Sequence, residues 1–332
     1  MILDFLNFPE HILVLILHNL HIEDLVNFCQ INKKIRNICK SNRQLTKKIR
    51  SYLLLGKDIE KLNQKEKNDL LIENSEKGKL VIVKFLLSND VNIHYQNDLA
   101  LRIASKKNHE EVIKLLINSG ADVNIHNDVV LRWASRNNHW EIVKFLVLNG
   151  ANIHAENDRA LINASKSRNL EMTKFLIDNG ANVHTENNIS LRIAAENGSL
   201  EIVKFLVDSG ANIHADDEAC LKLASRHSHM KLVEFLLDLG LDIHFEDDSY
   251  LAIASKYGNL ELVKYLITRG ANPYSKNNRP LVFASKSGSI EIVKYLSELS
   301  TTNDDKYDEA LIAAMANKHK EVVEYLKFKM RN

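Results

Sequence analysis

The sequence predicts an all-α protein built as an array of repeated helix–turn–helix units, and three features of its 332 residues lead to that fold class. Glycine recurs every 30 residues from Gly120 to Gly270. Leucine recurs with the same period from Leu71 to Leu311, and alanine does so from Ala104 to Ala314. A single period shared by several residue types indicates a repeat architecture, in which each repeat buries its apolar flank against its neighbours. About nine repeats are expected.

One repeat, residues 188–212 (NISLRIAAENGSLEIVKFLVDSGAN), shows the expected elements in order. Asn188 is a short polar residue suited to a helix N-cap. Leu191 and Ala194 then share one helix face, and Gly198 ends that helix. The stretch IVKFLV gives the second helix an apolar stripe, and Gly210 ends it in the C′ position. Each repeat is therefore expected to be two helices followed by a short loop.

These residues resemble the ankyrin repeat, whose pattern is followed closely by LRIASKKNHEEVIKLLINSGADVN at residues 101–124. The resemblance implies an ankyrin-repeat solenoid of nine repeats over residues 68–332. The repeat is shorter than the usual ~33 residues, and the missing residues fall where the family has its β-hairpin finger. We therefore expect shortened fingers, with first helices capped by Asx residues: Asp98, Asp128, Asp158, Asn188, Asp248, Asn278 and Asp308.

The first 50 residues do not share the period and predict a small helical domain, followed by a charged linker over residues 51–67. Pro9 suits a helix start and precedes an apolar stripe. The segment resembles an F-box, although Ile35 and Thr46 replace its two tryptophans. This resemblance implies a protein-binding site for a Skp1-type subunit at Pro9, Ile12, Leu13, Ile16, Leu17, Leu20 and Leu25. The alternative is a helical cap for the solenoid.

Two columns of charge recur in the array. A basic row follows the first helix of six repeats, at Lys106, Arg136, Lys166, Arg226, Lys256 and Lys286. An acidic row occupies the loops of four repeats, at Glu156, Glu186, Asp216 and Glu246. Resemblance to ankyrin repeats places both rows on the recognition side, where they would form a polar groove for a protein partner. The alternative is that both rows only provide solubility and favourable charge at helix ends.

A histidine column recurs at one loop position, at His94, His154, His184, His214 and His244. It could suggest a metal ladder or a pH switch. Neighbouring repeats lie ~8–10 Å apart, however, whereas Zn–N bonds are ~2.0–2.1 Å long. We therefore expect these residues to be polar turn residues that bond to neighbouring loop backbone. His109, His139, His229 and His319 match the family's Gly-His turn and are also expected to be structural.

Several classes of function are excluded. The 11 glycines form no phosphate-binding loop, and no hydrolase, zinc-protease or kinase signature is present, so we expect no enzyme activity, no cofactor and no metal. A formal net charge of +1 gives no support for nucleic-acid or membrane binding. Three cysteines without C-x-x-C spacing favour a reducing compartment.

The sequence therefore favours a monomeric, cytoplasmic adaptor whose solenoid binds a target protein of unknown identity. Its F-box-like segment would recruit a Skp1-type subunit of a cullin–RING ubiquitin ligase. The alternative is a plain ankyrin scaffold that sequesters a partner without a link to ubiquitin. The 30-residue arrays in a chain rich in Asn, Lys and Ile also resemble ankyrin proteins of giant amoeba-infecting DNA viruses, which would imply a host-cell cytoplasm.

Overall fold

A computed structural model describes residues 62–299 and 307–331, together with Asn37, and the chain divides into two compact units. The first unit ends at Asn152 and the second begins at Ile153. Among residues 62–299 the first helix begins at Gln64, which lies inside the predicted linker. A capping box precedes it, in which Asn63 and Glu66 bond reciprocally. In the described residues the regular structure is entirely helical, as the sequence predicts.

The first unit contains three described helix pairs, each joined by a tight turn. Their bounds are α1 Gln64–Glu76 and α2 Leu80–Leu87, α3 Leu99–Lys106 and α4 Glu110–Asn118, and α5 Ile125–Arg136 and α6 Trp140–Leu148. The first helices α1, α3 and α5 pack side by side, and so do the second helices α2 and α4. This is the stacking that the resemblance to ankyrin repeats implies.

The described part of the second unit contains six further pairs with the same arrangement. Their bounds are α7 Ala155–Lys166, α8 Leu170–Asp178, α9 Thr185–Glu196, α10 Leu200–Asp208, α11 Ala215–Arg226, α12 Met230–Asp238, α13 Phe245–Lys256, α14 Leu260–Thr268, α15 Ser275–Ser287, α16 Ile290–Glu298, α17 Asp308–Ala316 and α18 Lys320–Lys329. The odd-numbered first helices pack against one another in sequence from α7 to α17. Together, the described parts of the two units hold nine helix pairs.

The alanine column lies where first helices meet, and every member is buried. Ala194 is fully buried in the second unit, in the same core as Leu191 of its own helix and the α11 residues Leu221 and Ala224. The second helices supply Val203 and equivalent residues to this core. Burial of every member places the column in the packed core, where a small side chain permits close approach of helices.

Seven turns of three consecutive residues with left-handed backbone angles occur in the described residues, in the place of the family's finger. Six of them fall within the bounds given for first helices, where they interrupt the helix directly after its first residue. In each turn two of the three residues are Asn or Asp, as in Glu156, Asn157 and Asp158 with φ of 49°, 55° and 52°. Left-handed backbone costs an ordinary residue roughly 1–2 kcal/mol, and Asn and Asp adopt it most readily after glycine. The turns comprise residues 96–98, 126–128, 156–158, 186–188, 216–218, 246–248 and 276–278.

The expected capping role of the Asx residues is wrong for the five whose bonds are described. Each buried side chain instead accepts a hydrogen bond from the backbone N–H of the residue 24 positions further on, in the next repeat. Asp158, for example, accepts from Asn182 N at 2.8 Å, and Asn188 accepts from Asn212 N at 2.9 Å. The equivalent acceptors are Asp98, Asp128 and Asp248. The third residue of the left-handed turn therefore joins consecutive repeats.

A histidine at the turn between two helices also joins consecutive repeats. His229 Nε2 donates a hydrogen bond to the backbone oxygen of Glu196 at 2.9 Å, and its ring lies against Gly198, which has a φ of 68°. The same arrangement recurs for His109 with Gly78 and for His319 with Gly288, with Nε2–O distances of 2.8 and 3.0 Å. For these three residues the structure supports the structural role expected from the sequence.

Candidate protein-binding surface

The basic row lies at the carboxyl ends of first helices, where all six side chains are exposed. Lys106 and Arg136 belong to the first unit, and Lys166, Arg226, Lys256 and Lys286 belong to the second. None of the six forms an ion pair with any residue in the described part of the chain. A cation in the last turn interacts favourably with the helix dipole, but this leaves its charged group open to solvent and to a partner.

The acidic row lies at the first position of the left-handed turns, and its four members are exposed. Two of them form ion pairs with the first helix of the preceding repeat. Asp216 pairs with Arg192, and Glu246 Oε1 lies 3.0 Å from Lys222 Nζ. Glu186 Oε1 accepts a weaker hydrogen bond from Asn157 Nδ2 at 3.4 Å. In the second unit this row therefore contributes to contacts between repeats.

Four members of the histidine column contact a buried acidic side chain through the ring, a partner that the sequence did not predict. His154 Nδ1 lies 3.0 Å from Asp158 Oδ1, and His244 Nδ1 lies 3.0 Å from Asp248 Oδ1. His94 contacts Asp98 and His214 contacts Glu218 in the same way, at 3.2 and 3.3 Å. These acidic residues lie four positions after the histidine, at the end of the left-handed turn. The column therefore supports the turns.

A strip of half-buried apolar side chains runs beside the basic row in the second unit. Ile193, Leu223, Ile253 and Phe283 each lie three residues before the basic-row position of the same helix, at residues 196, 226, 256 and 286. Residues three apart share one helix face, so apolar and basic groups are presented together. In α9 the basic-row position is occupied by Glu196, whose Oε1 lies 3.9 Å from His227 Nε2.

Two aromatic rings connect the basic residues of three consecutive repeats. Arg226 Cζ lies 5.4 Å and Lys256 Nζ 5.5 Å from the ring centre of Tyr257. Lys256 Nζ is also 6.0 Å from the ring of Phe283, and Arg279 Cζ lies 5.0 Å from the same ring. These are cation–π distances. We call Arg226, Lys256, Tyr257, Arg279 and Phe283 the cation–aromatic cluster.

Sequence reasoning did not find this cluster, because its members lie in three different repeats. A local signal was present at two points. Tyr257 follows Lys256 directly in a turn, and Arg279 precedes Phe283 by four residues on one helix face. The contact between Arg226 and Tyr257 spans a whole repeat and depends on how the repeats stack.

The most strongly perturbed groups lie in the core, away from these surfaces. Burial raises the pKa of the Cys220 thiol to about 12. Burial, together with a hydrogen bond that its hydroxyl donates to Glu218, raises the pKa of Tyr250 well above its usual range. Glu218 thus joins Tyr250 to His214 inside the second unit. These shifts favour the neutral forms of both groups and indicate packing rather than reactivity.

The predicted F-box residues Pro9, Ile12, Leu13, Ile16, Leu17, Leu20 and Leu25 lie outside the described residues. Within the described part of the chain, no three His, Cys, Asp or Glu side chains are arranged to hold a metal ion. No described helix combines the length and the apolar character that a membrane crossing requires.

Comparison with family models identifies both parts of the chain. A model described as ankyrin repeats matches residues 38–127, 131–217, 190–247 and 251–331. A model of the F-box domain matches residues 5–47. No curated protein sequence is significantly similar to the chain. Ankyrin repeats and F-box domains are binding modules without catalytic residues of their own.

Proposed function

We propose that this chain, which belongs to the ankyrin-repeat family and carries an F-box domain at its N-terminus, is a substrate-recognition adaptor of a ubiquitin ligase. The repeats would hold a target protein, and the F-box would bind a Skp1-type subunit of a cullin–RING ligase. The observation that carries the proposal is the presence of both modules in one chain. Either module alone would support only a general role in protein binding.

The adaptor would act by proximity. Binding a target and a ligase to the same chain raises the effective concentration of one at the other, so that transfer of ubiquitin becomes in effect intramolecular. No reactive residue is required from the adaptor itself. The basic row and the cation–aromatic cluster support target binding by the repeats, since the basic row and Tyr257 are exposed and none of these cations forms an ion pair with the described residues.

A plain scaffold remains the second candidate, and one observation favours it. Ile35 and Thr46 occupy the two F-box positions where tryptophan is usual, so the chain lacks two large aromatic contacts. Large aromatic side chains often dominate the energy of an interface. A scaffold would bind its target through the same repeats and sequester it.

Substitution of Ile16 separates these two functions. Ile16→Asp places a charge within the apolar stripe predicted to contact Skp1, and burying an unpaired charge there is strongly unfavourable. We expect co-precipitation of purified Skp1 with the full chain to fall at least about tenfold, which corresponds to ~1.4 kcal/mol.

The matched control is Ile312→Asp, because Ile312 is 66% exposed on α17 and the same charge there stays in water. The control should recover Skp1 as well as the unmodified chain does, and both variants should keep their helical circular dichroism. If the unmodified chain does not bind Skp1, or if Ile16→Asp binds it equally well, the adaptor function is wrong and the scaffold is favoured.

A further inference from the structure

We propose that the cation–aromatic cluster and Lys286 form the docking site for an extended acidic segment of the target protein, with carboxylates about three residues apart. This inference rests on the proposed function insofar as the repeats bind a target, and it specifies the chemistry of that target. It does not depend on whether the F-box binds Skp1.

Uncompensated positive charge is the first reason. Arg226, Lys256, Arg279 and Lys286 form no ion pairs with the described residues. The neighbouring cations Arg192 and Lys222, on the same run of first helices, are instead each paired with an acidic side chain of the following repeat. The array thus neutralises one set of cations internally and leaves the other to attract carboxylates from outside.

The aromatic rings add partly exposed apolar surface to the charged patch. Tyr257 is 44% exposed although cations from two repeats flank its ring. Its hydroxyl can donate a hydrogen bond to a carboxylate held by Arg226 or Lys256. Tyr and Arg are both enriched where a few residues dominate the energy of an interface.

The spacing of the repeats sets the spacing of the carboxylates. Arg226, Lys256 and Lys286 occur once per repeat, and packed neighbouring helices lie ~8–10 Å apart. A chain in the extended polyproline II conformation advances ~3.1 Å per residue with three residues per turn, so every third side chain lies on the same face and about the same distance further along. A segment with an acidic residue at every third position can therefore place one carboxylate at each repeat.

The apolar strip distinguishes a peptide from a nucleic acid. Leu223, Ile253 and Phe283 lie half-buried on the same helix faces as the three cations. Intervening apolar side chains of a peptide can pack on all three strip residues, whereas the bases of a nucleic acid stack on aromatic rings, which Leu223 and Ile253 do not provide. A peptide therefore satisfies both the charge and the apolar surface of the site.

Two labelled peptides of the same composition test the proposal on the full chain. In the first, four aspartates stand at every third position with Leu and Ser between them. In the second, the four aspartates are contiguous. We expect fluorescence anisotropy at low salt to show at least about threefold tighter binding of the spaced peptide, and this binding should weaken as salt rises.

Charge reversal locates the site. The triple variant Arg226→Glu, Lys256→Glu, Lys286→Glu should lose at least about tenfold in affinity for the spaced peptide, because three attractive contacts become repulsive. The matched control Lys174→Glu, Lys204→Glu, Lys264→Glu makes the same charge change on the second helices of the same unit. It should change affinity less than about twofold. Tyr257→Ala, which alters no charge, should weaken binding severalfold and provides a test that does not depend on the folding of the triple variant.

Three results would overturn the inference: equal affinity for the two peptides, equal losses in the triple variant and its control, or tighter binding of oligouridylate than of the spaced peptide through the same residues. Skp1 recovery separates this inference from the adaptor function. If Skp1 still binds while the spaced peptide does not, the acidic-segment proposal alone fails.

Discussion

Gly198→Ala tests how the turn between two helices joins consecutive repeats. The glycine has a φ of 68°, and a Cβ built on it would overlap the ring of His229, whose Nε2 bonds to Glu196 O at 2.9 Å. Gly258 provides a matched control, because it has a similar φ of 77° but faces Ser289 Oγ at 3.1 Å instead of a ring. The difference between the two alanine substitutions therefore isolates the histidine contact.

The two effects have separate magnitudes. Alanine in left-handed backbone costs roughly 1–2 kcal/mol, and this applies to both Gly198→Ala and Gly258→Ala. Displacing the imidazole ring removes its hydrogen bond, which adds about 0.5–1.5 kcal/mol only at Gly198. We expect Gly198→Ala to cost ~2–3 kcal/mol and Gly258→Ala ~1–2 kcal/mol. In a His229→Ser background, Gly198→Ala should cost no more than the control.

Urea unfolding followed by far-ultraviolet circular dichroism measures the overall loss of stability. Because long repeat arrays can unfold in steps, amide hydrogen exchange in α9 to α12 should show where the loss occurs. The additional loss at Gly198 should be concentrated in these helices. Equal costs for the two glycine substitutions, or an unchanged cost in the His229→Ser background, would refute the proposed role of the histidine contact.

Two further predictions concern buried groups. Burial raises the pKa of the Asp128 carboxyl above its ordinary value of 3.8, so the folded protein keeps this proton to a higher pH than the unfolded chain does. Stability should therefore fall as pH rises from about 3.8 towards the raised folded pKa, and Asp128→Asn should remove that fall in unfolding titrations. Asp158→Asn is the control and should instead lower the free energy of unfolding by ~1 kcal/mol, because Asp158 also accepts a hydrogen bond from the Thr185 hydroxyl at 2.8 Å and contacts the His154 ring. If Asp128→Asn leaves the dependence of stability on pH unchanged, this reasoning is wrong. The second prediction is that Cys220, with the other two cysteines replaced by serine, resists a thiol reagent at pH ~8 until the chain unfolds. The reason is that burial raises the pKa of its thiol to about 12. Rapid modification of the native protein would show that the thiol is accessible.

The sequence was sufficient to predict features that depend on one repeat or on the period. The helix pairs, the buried alanine column and the turn glycines all follow from spacing within about 30 residues. The role of the Asx residues could not be predicted in the same way. A short polar residue before a helix ordinarily caps it, and only the stacked structure shows that Asp158 faces the backbone of Asn182 in the next repeat. The partner of His154 was missed for the same reason, because three consecutive left-handed residues bring Asp158 back to its ring.

The two charge rows illustrate why equal sequence patterns need not have equal functions. Each row places one charge in each of several repeats, and from the sequence both suit a groove. In the second unit, Asp216 and Glu246 lie in turns that face Arg192 and Lys222 of the preceding repeat, and they form ion pairs there. Such exposed pairs each contribute only ~0–1 kcal/mol, so their main consequence is to remove those charges from the surface offered to a partner. Arg226 and Lys256 lie at the opposite end of the first helix, where both contact the uncharged ring of Tyr257 and Lys256 also contacts that of Phe283. Since a cation–π contact leaves the positive charge in place, these residues remain able to attract a carboxylate. The basic row is therefore the better candidate for recognition.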